Sequence, residues 1–220
     1  MNALIDWSEF WAPLIAFLFI YLFAKTNYRP LSSKILIGYL LIAICLNLMA
    51  DFSWKFNKSL PEAFRVNHIY YNIHSIVRTI LFSLYFYIHP YFRPKKLLPL
   101  LLSLYTLLGL SFFIFFKSIL KFSSPLFTVE AIALLILCSR YFLTYLKDND
   151  EKRKIDNKGY IWVVSGLIFY EAINFFIFLS FTMLMSEEGR FANELWYIHN
   201  VSYVIFCACL TKAIYESRRK

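Results

Sequence analysis

Seven stretches of this chain are apolar almost throughout, and little sequence separates them. They run over residues 10–24, 34–54, 66–89, 97–116, 124–146, 160–185 and 194–215. A bilayer core about 30 Å thick is crossed by about 20 residues of helix, at about 1.5 Å per residue. Inside lipid the backbone has no water to bond, so helix is the form such runs must take. The sequence therefore predicts an all-α polytopic membrane protein, with seven transmembrane helices forming a single domain over residues 1–220. Composition agrees: 60% of residues are hydrophobic and 17% charged, against about 45–50% and about 25% in soluble domains. A disordered chain and a disulfide-stapled secreted module are excluded on the same grounds.

Charge gives the orientation. With the N-terminus outside, the inner side receives Lys25, Arg29 and Lys34, then Arg93, Lys95 and Lys96. It also receives Lys147, Lys152, Arg153, Lys154 and Lys158, and finally Lys212, Arg218, Arg219 and Lys220. Those are 15 of the 23 basic residues. Only Lys55, Lys58, Arg65, Lys117, Lys121 and Arg190 fall outside. Cytoplasmic loops carry the excess of Lys and Arg, so the expected topology is N-out, C-in. The net charge of +9 is then a topology signal and a contact for membrane lipid, not a nucleic-acid footprint.

The first ten residues carry Asp6 and Glu9 but no basic residue, which argues against a cleavable signal peptide. No lipidation motif stands at either end. Cys45, Cys138, Cys207 and Cys209 all lie in apolar runs without ligand spacing and read as small packing residues.

Ionisable side chains at bilayer depth cost several kcal/mol unless they face the bundle interior and pair. Asn47 and Asp51 share one face of the second span, and His74 and Arg78 one face of the third. Glu130 lies in the fifth span, Glu171 and Asn174 in the sixth, and His199 and Asn200 in the seventh. Counted inward, Asn47, His74, Glu130 and His199 lie about 8–12 Å below the outer end, and Arg78, Glu171 and Asn174 about 16–21 Å. These nine residues are the candidate ligand-binding set, a polar pocket on the outward side. The first and fourth spans are read as contributing no ionisable group at that depth. Arg78 and Glu171 form the expected ion pair, with His74 or His199 as donor to Glu130 or to a carbonyl. The alternative is structural glue, since such pairs hold helix bundles together without a ligand. No span has His-x3-His or Glu-x2-His spacing, so no metal or other cofactor is expected. Most of the 24 Phe and 16 Tyr read as lipid-facing surface and interface belt.

Several seven-helix classes lack their chemistry here. A retinal protein needs a mid-span lysine in the seventh helix, and Lys212 lies near the inner end, so no retinal is expected. DRY-like, NPxxY-like and Pro-Gln motifs are missing, and His199 is followed four residues later by Tyr203 rather than a second histidine. A different group fits better. The runs LWYIHNVS at 195–202 and YIWVVSGLIFY at 160–170, the pair Val129 and Glu130, and Asn67 seven positions before His74 form a recognisable pattern. It resembles a family of small bacterial seven-helix inner-membrane proteins often encoded beside sensor histidine kinases. The resemblance implies an accessory sensory role, with Glu130 and His199 as recurring polar positions and Trp162 and Trp196 as interface or pocket aromatics.

An internal echo, Ile73-His74-Ser75 against Ile198-His199-Asn200, suggests a 3+1+3 arrangement of parallel halves. The function expected is that of a sensory or receptor-like membrane protein, more a sensor than an enzyme. It would signal through a cytoplasmic partner, such as a histidine kinase, met by the basic loop 147–158 and the tail 218–220. A small-solute or proton-coupled transporter and a metal-dependent intramembrane enzyme are the alternatives.

Overall fold

The structure is a computed structural model that describes residues 3–23, 30–60, 67–89, 97–115, 123–150, 158–187 and 189–217. Much of the basic pattern, including 93–96, 152–154 and 218–220, lies outside the described residues. A one-turn helix, Ala3–Asp6, precedes α1 (Ser8–Phe23), α2 (Leu31–Lys55), α3 (His68–Tyr87), α4 (Leu97–Phe115), α5 (Ser124–Lys147), α6 (Lys158–Glu187) and α7 (Gly189–Glu216). Each apolar stretch has thus become one helix, and no strand occurs among the described residues.

By length and composition, four of these helices could cross a membrane: Leu31–Lys55, Ser124–Lys147, Lys158–Ser180 and Glu194–Glu216. Shorter apolar helix runs over Ser8–Phe23 and Leu98–Leu107. Helix α3 has enough residues, but its Asn, His, Ser and Arg side chains keep it out of that set. In length and composition these four apolar helices are consistent with a helical membrane protein.

Prolines set several boundaries. Pro30 precedes α2, whose first turn closes with Lys34 N–H donating to the Pro30 carbonyl at 3.2 Å. Pro125 stands in the first turn of α5, where its missing N–H costs nothing. Pro13 is different, because it lies inside α1. There its ring removes the bond that residue 13 would donate to the carbonyl of Glu9. Asn47 Nδ2 of α2 donates to that carbonyl instead, at 2.6 Å. A break in one helix is repaired by a side chain of the next, as a backbone group in lipid requires.

The helices pack as a ring. Neighbours in sequence touch from α1 to α3 and from α5 to α7, α3 meets α5, and α7 closes against α1. Helix α4 packs outside the ring against α3 and α5. The tightest seam is α6 on α7, where glycines let the backbones approach. A methyl group on Gly166 would lie 2.5 Å from Cys209 Cβ, and one on Gly159 would lie 2.7 Å from the Ala213 carbonyl oxygen.

Polarity is distributed inside out. Phe23, Trp54, Ile80 and Phe176 are at least half exposed, while Arg78, Glu130, Glu171, Asn174 and His199 are buried. Such an apolar surface would associate in water; in lipid it is the normal exterior.

Candidate functional site

Two polar networks occupy the middle of the ring. The first centres on Arg78. Its Nε and Nη2 donate to Glu130 Oε1 and Oε2 at 2.7 and 2.8 Å, a bidentate pair between α3 and α5. Its Nη1 donates to the Tyr170 hydroxyl of α6 at 2.6 Å, and the guanidinium carbon lies 4.9 Å from the centre of the Tyr170 ring. Ser75, one turn before Arg78, donates to Glu130 Oε2 at 2.6 Å and meets the Tyr105 hydroxyl of α4 at 3.0 Å. Glu130 therefore accepts three hydrogen bonds while fully buried, which is what a carboxylate needs in the absence of water.

Glu171 stands beside this pair and is treated differently. Its Oε1 lies 3.5 Å from Arg78 Nε, and neither carboxyl oxygen has a hydrogen-bond partner. The expected Arg78–Glu171 ion pair is present, at 3.5 Å, but it is the looser of two: Glu130 makes the hydrogen bonds to the guanidinium, and Glu171 lies a fraction of an ångström beyond bonding distance.

The second network joins α1, α3, α6 and α7. His199 Nε2 lies 2.9 Å from Glu9 Oε1, and His199 Nδ1 lies 2.6 Å from Asn174 Oδ1. Tyr71 donates to Glu9 Oε2 at 3.0 Å. With the Asn174 amide so placed, both ring nitrogens face acceptors, and an imidazolium satisfies them. Turned over, the amide would donate to Nδ1 and a neutral ring would suffice. Trp196 stacks on the His199 ring, centroids 4.9 Å apart. Asn200 donates to the Ile5 carbonyl at 3.0 Å and so ties the N-terminal turn to α7.

His74 lies between the two networks. It is buried and stacked on Tyr39 at 5.8 Å, and its Nε2 has no partner. Neither histidine donates to Glu130, whose acceptor positions are taken by Ser75 and Arg78. Glu9, Asn47, Tyr71, His74, Arg78 and His199 help line a small cavity of about 20 Å³, which is room for about one water molecule.

Of the nine residues expected here, Asn47, His74, Arg78, Glu130, Glu171, Asn174, His199 and Asn200 are buried in or beside these networks. Asp51 is half-buried one turn beyond Asn47, with its Oδ2 enclosed and unpartnered. Sequence reasoning missed Glu9, which it placed outside the first span, and the partners Tyr105 and Tyr170. The signal for Glu9 was present, because Ala12, Ala16 and Ile20 follow it at helical spacing on the buried face of α1. His89, just past α3, is also buried, with its ring centre 5.1 Å from that of Tyr141.

Among the described residues, no group of three or more His, Cys, Asp or Glu side chains is placed to hold a metal ion. Cys138 and Cys207 are buried free thiols. No protein-family model, curated protein or solved structure matches the chain.

Proposed function

We propose that the chain is a receptor-like integral membrane protein of a bacterial cytoplasmic membrane, which signals through a cytoplasmic partner such as a histidine kinase. It crosses the membrane seven times, with its N-terminus outside and its C-terminus inside. One observation carries the reading: Arg78 sits between two buried carboxylates, bonded to Glu130 and 3.5 Å from Glu171. Closing that gap to an ordinary hydrogen bond takes a shift of less than about 1 Å. A buried cation with two partners so close is a bistable element. A stimulus moves such an element only by favouring one of its arrangements. The inside-out polarity supports the membrane placement, and the 15 inner basic residues support the orientation.

Asn47, Asp51, His74, Arg78, Glu130, Glu171, Asn174, His199 and Asn200 form the sensing core in this reading. The one-water cavity favours a stimulus that moves helices over a bulky ligand held in the core. The test is a distance measurement between spin labels at Tyr87 and Trp162, both partly exposed on α3 and α6. Glu130→Gln should drive Arg78 toward Glu171 and change the label distance, while Glu171→Gln should leave it as in the wild type. Identical distributions in all three proteins would overturn the switch.

A further inference from the structure

A second cavity lies on the outside of the bundle, between α1 and α7. It encloses about 460 Å³, within the range of about 300–1,000 Å³ typical of ligand sites. Its walls are apolar: Trp11, Ile15 and Phe19 on α1, and Val204, Cys207 and Ala208 on α7. Small residues give it depth, since Ala12 and Ala16 form part of its floor. One end is polar, where Thr211, Lys212 and Tyr215 meet.

Three properties select the occupant. The first is length. Trp11 to Phe19 spans about 12 Å of helix and Val204 to Tyr215 about 16 Å, half of a bilayer core of about 30 Å. That suits one acyl chain in one leaflet, whereas a partner helix would need the full thickness. The second is charge. Lys212 is the cation of the groove, at the end that the positive-inside pattern puts in the inner leaflet. The third is donor capacity. Lys212 Nζ bonds Glu216 Oε1 at 2.6 Å, which uses one of the three N–H groups of an ammonium.

We infer that the α1–α7 groove is a binding site for an anionic phospholipid of the inner leaflet, its acyl chain along Ile15 and Ala208 and its phosphate on Lys212. The proposal rests on the membrane placement but not on the switch at Arg78. An occupant here would touch the two helices that bring Glu9 and His199 together.

The test uses the full chain in bilayer discs containing brominated phosphatidylglycerol or brominated phosphatidylcholine, diluted in unlabelled phosphatidylcholine. Bromine quenches tryptophan, and the difference between wild type and Trp11→Phe isolates Trp11 among the five tryptophans. Half-quenching of Trp11 is expected at a lower fraction of the anionic lipid, by at most about fivefold, the preference that one Lys near such a headgroup supplies when nothing offsets its charge. Lys212→Gln should abolish the preference and Lys212→Arg keep it, while Ala208→Phe should fill the groove and weaken quenching by both lipids. Equal quenching by the two lipids in wild type, or a preference that survives Lys212→Gln, would overturn the site. A chain that fails to enter the discs would overturn the membrane reading on which the site rests, and the site with it.

Discussion

Arg78 and Glu130 meet fork to fork across α3 and α5, with both hydrogen bonds between 2.7 and 2.8 Å and both side chains almost wholly buried. A pair like this adds little net stability, because desolvation offsets much of the attraction. Removing one partner is a different matter, since the other is then left charged and buried.

Glu130→Ala leaves Arg78 buried with Tyr170 and an imperfect contact to Glu171. The expected cost is about 3–5 kcal/mol, read by reversible unfolding in mixed micelles. The double variant Arg78→Met with Glu130→Ala should be less damaged than Glu130→Ala alone, since no guanidinium is then left without its bidentate partner. Additive losses would show that the two side chains are not coupled.

Asn47→Ala removes the donor that serves the Glu9 carbonyl, the group left open by Pro13. A loss of about 1–3 kcal/mol is expected, the cost of an orphaned buried acceptor. Adding Pro13→Ala should restore part of it, because residue 13 could then donate to that carbonyl within α1. Hydrogen exchange in the first turns of α1 reports both effects; exchange unchanged by Asn47→Ala would refute the account.

Gly166→Ala and Gly38→Ala form a matched pair. The new methyl at 166 meets Cys209 Cβ at 2.5 Å, while nothing lies within 4 Å of one at 38. The first should cost about 1–3 kcal/mol through overpacking. The second should stabilise by about 0.5–1 kcal/mol, because alanine favours helix. Cys209→Gly should rescue Gly166→Ala, whereas Cys209→Ala, which keeps the offending Cβ, should not. Thermal melts of the purified chain would rank them.

Reporter fusions test the orientation. With the loop after α5 inside, a phosphatase joined after Asp150 should be inactive and a fluorescent protein there bright. The opposite pattern would invert the topology.

The helices were legible in the sequence almost to their ends, because each needs a long apolar run and prolines mark several starts. The fourth stretch, 97–116, became Leu97–Phe115, and the fifth, 124–146, became Ser124–Lys147. Partner choice was less legible. Helical spacing places Arg78 on an inward face but cannot say whether Glu130 or Glu171 meets it, since that depends on how α5 and α6 are rotated in the ring. Glu9 was missed because an acidic residue in a first turn reads as a solvent-facing terminus. The echo between His74 and His199 does not extend to their partners: His199 bonds Glu9 and Asn174, while His74 stacks on Tyr39 with an idle Nε2. Similar triplets do not create similar surroundings.

Helix α6 carries Tyr170 and Glu171 beside Arg78, and one turn later it carries Asn174 against His199. All three lie on one helical face. The two networks are therefore geared to a common shaft. A rotation of α6 that slackened the bond at Asn174 would also alter the spacing around Arg78, so the contacts of α1 and α5 are mechanically linked through it.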